Sequence, residues 1–119
     1  MKKVILLVTV VMVVLCASKA LAGDVISWQD AAQYYGQHKT VEGTVVLTKC
    51  TPKVCFLNFH PDYKTHFTAV IFATDWSKFP ANPDSFYEGK KVRVTGLIKE
   101  YQGKPEIILK HQGQIEVVK

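Results

Sequence analysis

Residues 89–117 read GKKVRVTGLIKEYQGKPEIILKHQGQIEV, and the segment from Lys91 to Tyr101 alternates with a period of two. Val92, Val94, Gly96 and Ile98 fall on one face, and Lys91, Arg93, Thr95 and Leu97 on the other. That is the pattern of a strand with one buried side and one wet side. The turn Gln102-Gly103-Lys104-Pro105 leads into EIILK (106–110), and QIEVVK (114–119) supplies a last strand able to close a sheet edge.

Working upstream, TVEGTVVLTK (40–49), VCFLNF (54–59) and FTAVIFA (67–73) are rich in β-branched and aromatic residues and read as three more strands. Gly43, inside the first of them, marks a bulge or a sharp coil. Between the third and fourth strands lies TDWSKFPANPDSFYEGK (74–90), with a turn of helix at Asp75–Lys78 and Pro/Asn breakers around residues 80–83. Ahead of the strands, Ser27 with Asp30 three positions on resembles a capping box, and Gly36 suits a helix C-terminus. A short helix over 27–35 follows, with Trp28, Ala31, Ala32 and Tyr35 turned inward. So small an antiparallel sheet cannot hide its apolar side while open, and a long bent first strand can pair at both ends. The expected fold is all-β: a five-stranded barrel with a short N-terminal helix.

The N-terminus reads as a leader. Lys2 and Lys3 precede an almost unbroken apolar run from Val4 to Leu15, and Ala20-Leu21-Ala22 has the small-x-small pattern of a signal-peptidase site. Twelve residues fall short of the roughly 20 that span a bilayer as a helix. Residues 1–22 are thus expected to be a signal peptide and residues 23–119 one exported domain, periplasmic or secreted, with no membrane association after cleavage. Loss of Lys2, Lys3 and Lys19 takes the formal charge from +5 to +2. The basicity of the whole chain is therefore no argument for a polyanionic partner.

Cys50 and Cys55 remain in the exported part, flanking a four-residue loop between two strand-like segments. In an oxidising compartment a disulfide is the default reading. A redox couple would ask for C-x-x-C at a helix N-terminus. Zinc would need four ligands, and HPDYKTH (60–66) offers only His60, Asp62 and His66 nearby, with no second cysteine pair.

TVEGTVV (40–46) together with the closing block at 89–117 resembles the OB-fold of the nucleic-acid-binding type over roughly residues 38–118, and FLNFHPDYKTHFTAVIF (56–72) looks like the OB modules attached to secreted bacterial nucleases. The resemblance implies an exported bacterial OB-fold domain that binds single-stranded DNA or RNA across its second and third strands, without carrying cleavage chemistry. Pairing Cys50 with Cys55 turns Leu57 and Phe59 inward and Phe56 and Asn58 outward, an aromatic beside an amide that could stack and hold an unpaired base. A bulge at Gly43 would instead shift the register and bury Phe56. Lys49, Lys53, Lys64, Lys91, Arg93 and Lys99 are candidate phosphate contacts, and Tyr63 and Tyr101 add stacking area.

Catalysis is not expected. The nuclease branch of the fold uses an acidic cluster around a calcium ion together with arginines; this chain has one arginine, Arg93, and no serine or cysteine is visibly paired with the histidines as a nucleophile. No cofactor is implied. Two other readings compete: an envelope-protein partner or envelope-stress module, suggested by the low charge and the apolar strand FTAVIFA, and metal handling through His60 and His66. The thiol chemistry has a direct check. Under non-reducing conditions the mass of the exported protein should be lower by two hydrogens than the sum of its residues, and two freely alkylated thiols would overturn the disulfide.

Overall fold

The computed structural model describes residues 25–119. The expected leader and its expected cleavage site lie outside the described residues. Nine strands form two sheets: β1 (Val25–Ser27), β2 (His38–Thr44), β3 (Leu47–Cys50), β4 (Val54–Asn58), β5 (Thr68–Phe72), β6 (Lys91–Leu97), β7 (Lys99–Tyr101), β8 (Lys104–Leu109) and β9 (Ile115–Val117). One sheet has the order β1-β2-β6-β9 and the other β3-β4-β5-β8-β7.

The expectation of a single closed five-stranded barrel is corrected here: the ladders form two separate sheets, and two of the expected strands are each split between them. The first strand is β2 plus β3, the fourth is β6 plus β7. The breaks fall at Val45 and Ile98, both fully buried. At each break the β2–β6 register runs one rung further, Val45 opposite Lys90 and Ile98 opposite Gln37, and the strand carbonyl is met by a glycine. Val45 donates to the Lys90 carbonyl (3.0 Å) and accepts from Gly89 N–H (2.7 Å); Ile98 donates to the Gln37 carbonyl (2.9 Å) and accepts from Gly36 N–H (2.8 Å). Gly36 (φ +80°) and Gly89 (φ +83°) both sit in left-handed conformation, which glycine adopts without the Cβ penalty of other residues.

Gly43 does not mark a bulge. The β2–β6 register runs through it without interruption, from His38 opposite Leu97 to Thr44 opposite Lys91. Its missing side chain makes room instead. A Cβ there would lie 2.5 Å from Trp28 Cδ1 and 2.7 Å from Phe59 Cδ2. With no shift of register, the β3–β4 hairpin pairs Cys50 with Cys55, Lys49 with Phe56 and Thr48 with Leu57. The two cysteines are joined, S–S 2.01 Å.

Between the sheets, Val41, Val45, Leu57, Phe59, Phe67, Ala69, Ile71, Val92, Val94, Ile98, Ile107, Leu109 and Ile115 form the core. Burying a Val, Leu, Ile or Phe side chain contributes about 1.5–3 kcal/mol each. The alternating faces of the quoted closing block are as expected: Val92, Val94, Gly96 and Ile98 are buried, and Lys91, Arg93, Thr95 and Leu97 exposed. β5 is central in its sheet, between β4 and β8. Thr68, Ala69, Val70 and Ile71 are all buried, so the strand is covered on both faces. Burial thus accounts for the run from Thr68 to Ile71, while Phe72 at its end is exposed.

The leading helix is a 3₁₀ helix, Trp28–Tyr34, with Ser27 Oγ accepting from Gln29 N–H (3.3 Å). Its three-residue turn aligns Trp28, Ala31 and Tyr34. Ala31 is fully buried, whereas Ala32, expected inward on an α-helical period, is exposed. The expected turn at 75–78 lies within a second 3₁₀ helix, Ala73–Lys78. A short α-helix, α1 (Pro83–Tyr87), occupies part of the segment read as breakers, with Pro83 in its first turn, where a missing N–H costs nothing. Among the described residues no helix is long and apolar enough to cross a membrane.

The two joints can be tested singly. Gly36→Ala and Gly89→Ala have open space around the new methyl group, so each should lose only the backbone term, roughly 1–2 kcal/mol. Urea unfolding should show a lowered midpoint at unchanged slope, and unaltered midpoints would show that the left-handed turns do not hold the joints.

Candidate functional site

The outward face of the second sheet is built row by row from its register. Lys49, Phe56, Val70 and Ile108 form one row; Asn58, Thr68, Glu106 and Lys99 form the next; Lys104 faces Tyr101 beyond. The β4–β5 loop folds back toward this face. Its stem is closed by Phe59 and Phe67, edge to face at 4.9 Å, and by His60 and His66, stacked at 3.8 Å with Trp28 tilted against both at 5.9 Å. Asp62 N–H donates to His60 Nδ1 (2.9 Å), and the Asp62 carbonyl lies 2.9 Å from His66 Nδ1. Both rings are thus engaged in shaping the loop, and among the described residues no cluster of three or more His, Cys, Asp or Glu could hold a metal ion.

The loop tip brings Tyr63 and Lys64 over the sheet and encloses a cleft of about 520 Å³. Six of the ten residues singled out in the sequence line it: Lys49, Phe56, Asn58, Tyr63, Lys64 and Tyr101. Phe56 is half-buried and Tyr101 half-exposed. Lys49 Nζ stands 5.6 Å from the centre of the Tyr63 ring, and Lys104 Nζ 5.9 Å from it.

The other four are elsewhere. Lys53 is in the hairpin turn, where its carbonyl accepts from Ala73 N–H (2.8 Å). Lys91 and Arg93 lie on β6 in the first sheet and converge on Glu42, at 3.2 and 2.8 Å, holding its carboxyl below the ordinary range. Lys99 sits on β7 opposite Glu106, at the margin of the cleft without lining it. Sequence alternation places a residue on a face but does not say which sheet carries that face.

Three residues of the site were missed in the sequence. Lys104, read as part of a turn, donates from Nζ to Thr68 Oγ1 (2.9 Å) and to the Tyr63 carbonyl. Thr68 Oγ1 donates on to Asn58 Oδ1 (2.8 Å). Glu106 lies in the same row. All four side chains are at most 9% exposed, so Asn58, although on the outward face as expected, is covered rather than open. The available signal was polar residues at outward positions of three adjacent strands, 58, 68 and 106, in segments otherwise almost wholly apolar. Burial lowers the Lys104 ammonium pKa, with Glu106 opposing the shift; burial raises the Glu106 carboxyl pKa, with Lys104 and Lys99 opposing. For both groups desolvation outweighs the attraction between opposite charges.

Comparison with known proteins gives the fold. No protein-family model matches the chain, and no curated protein sequence matches it. Among solved structures it is similar to an Entamoeba histolytica asparaginyl-tRNA synthetase, at 17% identity and TM-score 0.53 over 79% of this chain and 23% of that one. The same enzyme in complex with asparaginyl-adenylate gives 18% and 0.53 over the same shares. A protein from Leishmania major Friedlin described as an aspartyl-tRNA synthetase gives 14% and 0.54, over 79% of this chain and 20% of that one. The chain therefore spans about a fifth of their length. At these identities the likeness is one of fold, and the two-sheet arrangement with its split first and fourth strands agrees with an OB-like fold.

The raised carboxyl pKa of Glu106 has a defined pH signature. A carboxyl that holds its proton more tightly when folded contributes stability at low pH, and that contribution is lost as pH rises through the raised value. The stability of Glu106→Gln relative to wild type should therefore improve as pH is raised from below the ordinary glutamate value of 4.5 toward neutrality. Denaturation midpoints of both proteins across that interval check it; a constant difference would contradict the buried carboxyl.

Proposed function

We propose that this is an exported, non-catalytic binding module for single-stranded or irregular nucleic acid, acting in the periplasm or outside the cell. One observation carries the reading: a single cleft on the outward face of the second sheet gathers Phe56, Tyr63 and Tyr101 with the ammonium groups of Lys49, Lys64 and Lys104. Aromatic faces take unpaired bases without regard to sequence, and the lysines supply the charge that tracks a phosphate backbone. The fold agrees, since the solved structures that share it are synthetases named for a nucleic acid, tRNA. The leader supports export and the Cys50–Cys55 bond suits an oxidising compartment. No residue in the cleft is arranged as a nucleophile with an adjacent base, so the reading contains no covalent step. Exported OB modules attached to secreted nucleases, which the sequence resembles, work in the same non-catalytic way.

Titration of the processed, disulfide-bonded protein with fluorescent single-stranded oligonucleotides should saturate at low salt. With about three phosphate contacts, log K should fall with log salt at a slope of roughly −2. Phe56→Ala should weaken binding by about 1–3 kcal/mol, the value of one stacked base. No saturable signal at low salt, or no loss in Phe56→Ala, would end the proposal.

A further inference from the structure

The polar row beneath the cleft has a direction. A lysine ammonium can only donate, and Lys104 donates to Thr68 Oγ1. In the structure the hydroxyl's own proton goes forward, to Asn58 Oδ1. With the amide oxygen turned to Thr68, Asn58 Nδ2 lies on the remaining side, where it is buried and has no hydrogen-bond partner among the described residues. A buried donor without an acceptor costs about 1–3 kcal/mol, more than the net value of most hydrogen bonds. Asn58 is 1% exposed and lines the cleft.

The charged groups of the floor and rim are mostly donors too, beside the hydroxyls of Thr51, Tyr63 and Tyr101 and the Gln102 amide, which can also accept. Lys104 spends two of its three N–H groups on Thr68 and Tyr63, and Lys49 and Lys64 bring further ammonium donors. The one carboxyl lining the cleft, Glu106, already interacts with Lys104 and Lys99.

Resting on the nucleic-acid reading above, we infer that the cleft selects a base whose edge carries keto oxygens, thymine or uracil, over adenine, and that Asn58 Nδ2 is the specificity-determining donor. Thymine presents a keto acceptor where adenine presents an amino donor. Where adenine turns its N6 amino group to the amide, two donors face each other, whereas a keto oxygen takes up the orphan N–H. The base lies against Phe56, and to reach the amide it parts the side chains that close Asn58 off from water.

The test compares oligo(dT) and oligo(dA) of equal length on the processed, disulfide-bonded protein at low salt. Wild type should prefer oligo(dT) by roughly tenfold, the discrimination of one good hydrogen bond against a mispaired donor. Asn58→Asp keeps the acceptor for Thr68 and puts a second acceptor in place of the donor, so the preference for oligo(dT) should be lost or reversed toward oligo(dA). The ratio of the two affinities, compared between variants, cancels any self-stacking of the adenine strand. Phe56→Ala should weaken both strands together. Without any variant, the Asn58 side-chain amide resonances should shift on adding oligo(dT) and stay in place with oligo(dA), which keeps the test decisive if Asn58→Asp does not fold. Equal affinities, an unchanged ratio in Asn58→Asp, or amide resonances unmoved by oligo(dT) overturn the inference while leaving the module a nucleic-acid binder. Failure of both strands to bind removes the underlying reading itself.

Discussion

The architecture depends on two backbone joints. Val45 and Ile98 are fully buried residues at which a long strand passes from one sheet to the other, and a buried backbone at the end of a ladder must still find partners. Each joint is satisfied in the same way, by a loop carbonyl for its N–H and a left-handed glycine N–H for its carbonyl. Because the partners come from the 3₁₀ segment before β2 and from the end of α1, the sheets and the short helices hold one another in place. The core between the sheets follows from this arrangement.

What the joints set up, the outward face of the second sheet uses. With β3 and β4 in register and β8 alongside β5, aromatic and polar side chains line up in adjacent rows, and the pinched β4–β5 loop brings Tyr63 over them. The hydrogen bonds running from Lys104 through Thr68 to Asn58 cross three strands and place donors where the face would otherwise be apolar. Burying four polar side chains in so small a domain is costly, and three are tied together by these bonds. The cost is concentrated beside the cleft that holds Phe56, Tyr63 and Tyr101 with Lys49 and Lys64.

Local pattern made part of this legible. Strict alternation named the buried face of β6, and the even cysteine count with a four-residue loop named the β3–β4 register, which in turn put Phe56 on the outward face. Features set by distant contacts were not legible. The split of the long strands is decided by Gly36 and Gly89, far from the bends in sequence, so the pattern read as one continuous barrel. β1 is three residues pairing in parallel with β2, too short to leave a period. Gly43 looked like a bulge because a missing side chain in a strand does not reveal whether it serves the backbone or, as here, a neighbouring tryptophan. Lys104 and Glu106 looked like a turn and a strand edge because charge says nothing of burial, and Lys91 and Arg93 were grouped with the cleft lysines because alternation does not say that Glu42 already holds them.

The Cys50–Cys55 cross-link bears on how the molecule could be handled. It fixes the β3–β4 pairing covalently at its outermost rung, so the Thr51–Lys53 tip is not needed to keep the ribbon aligned. Thr51, Pro52 and Lys53 are all exposed; the Thr51 N–H donates to the Val54 carbonyl (2.8 Å) and the Lys53 carbonyl accepts from Ala73 N–H (2.8 Å). The tip around Pro52 is therefore a natural place to graft a reporter tag or an immobilisation handle, with the crosslink shielding the rest of the sheet from the insertion.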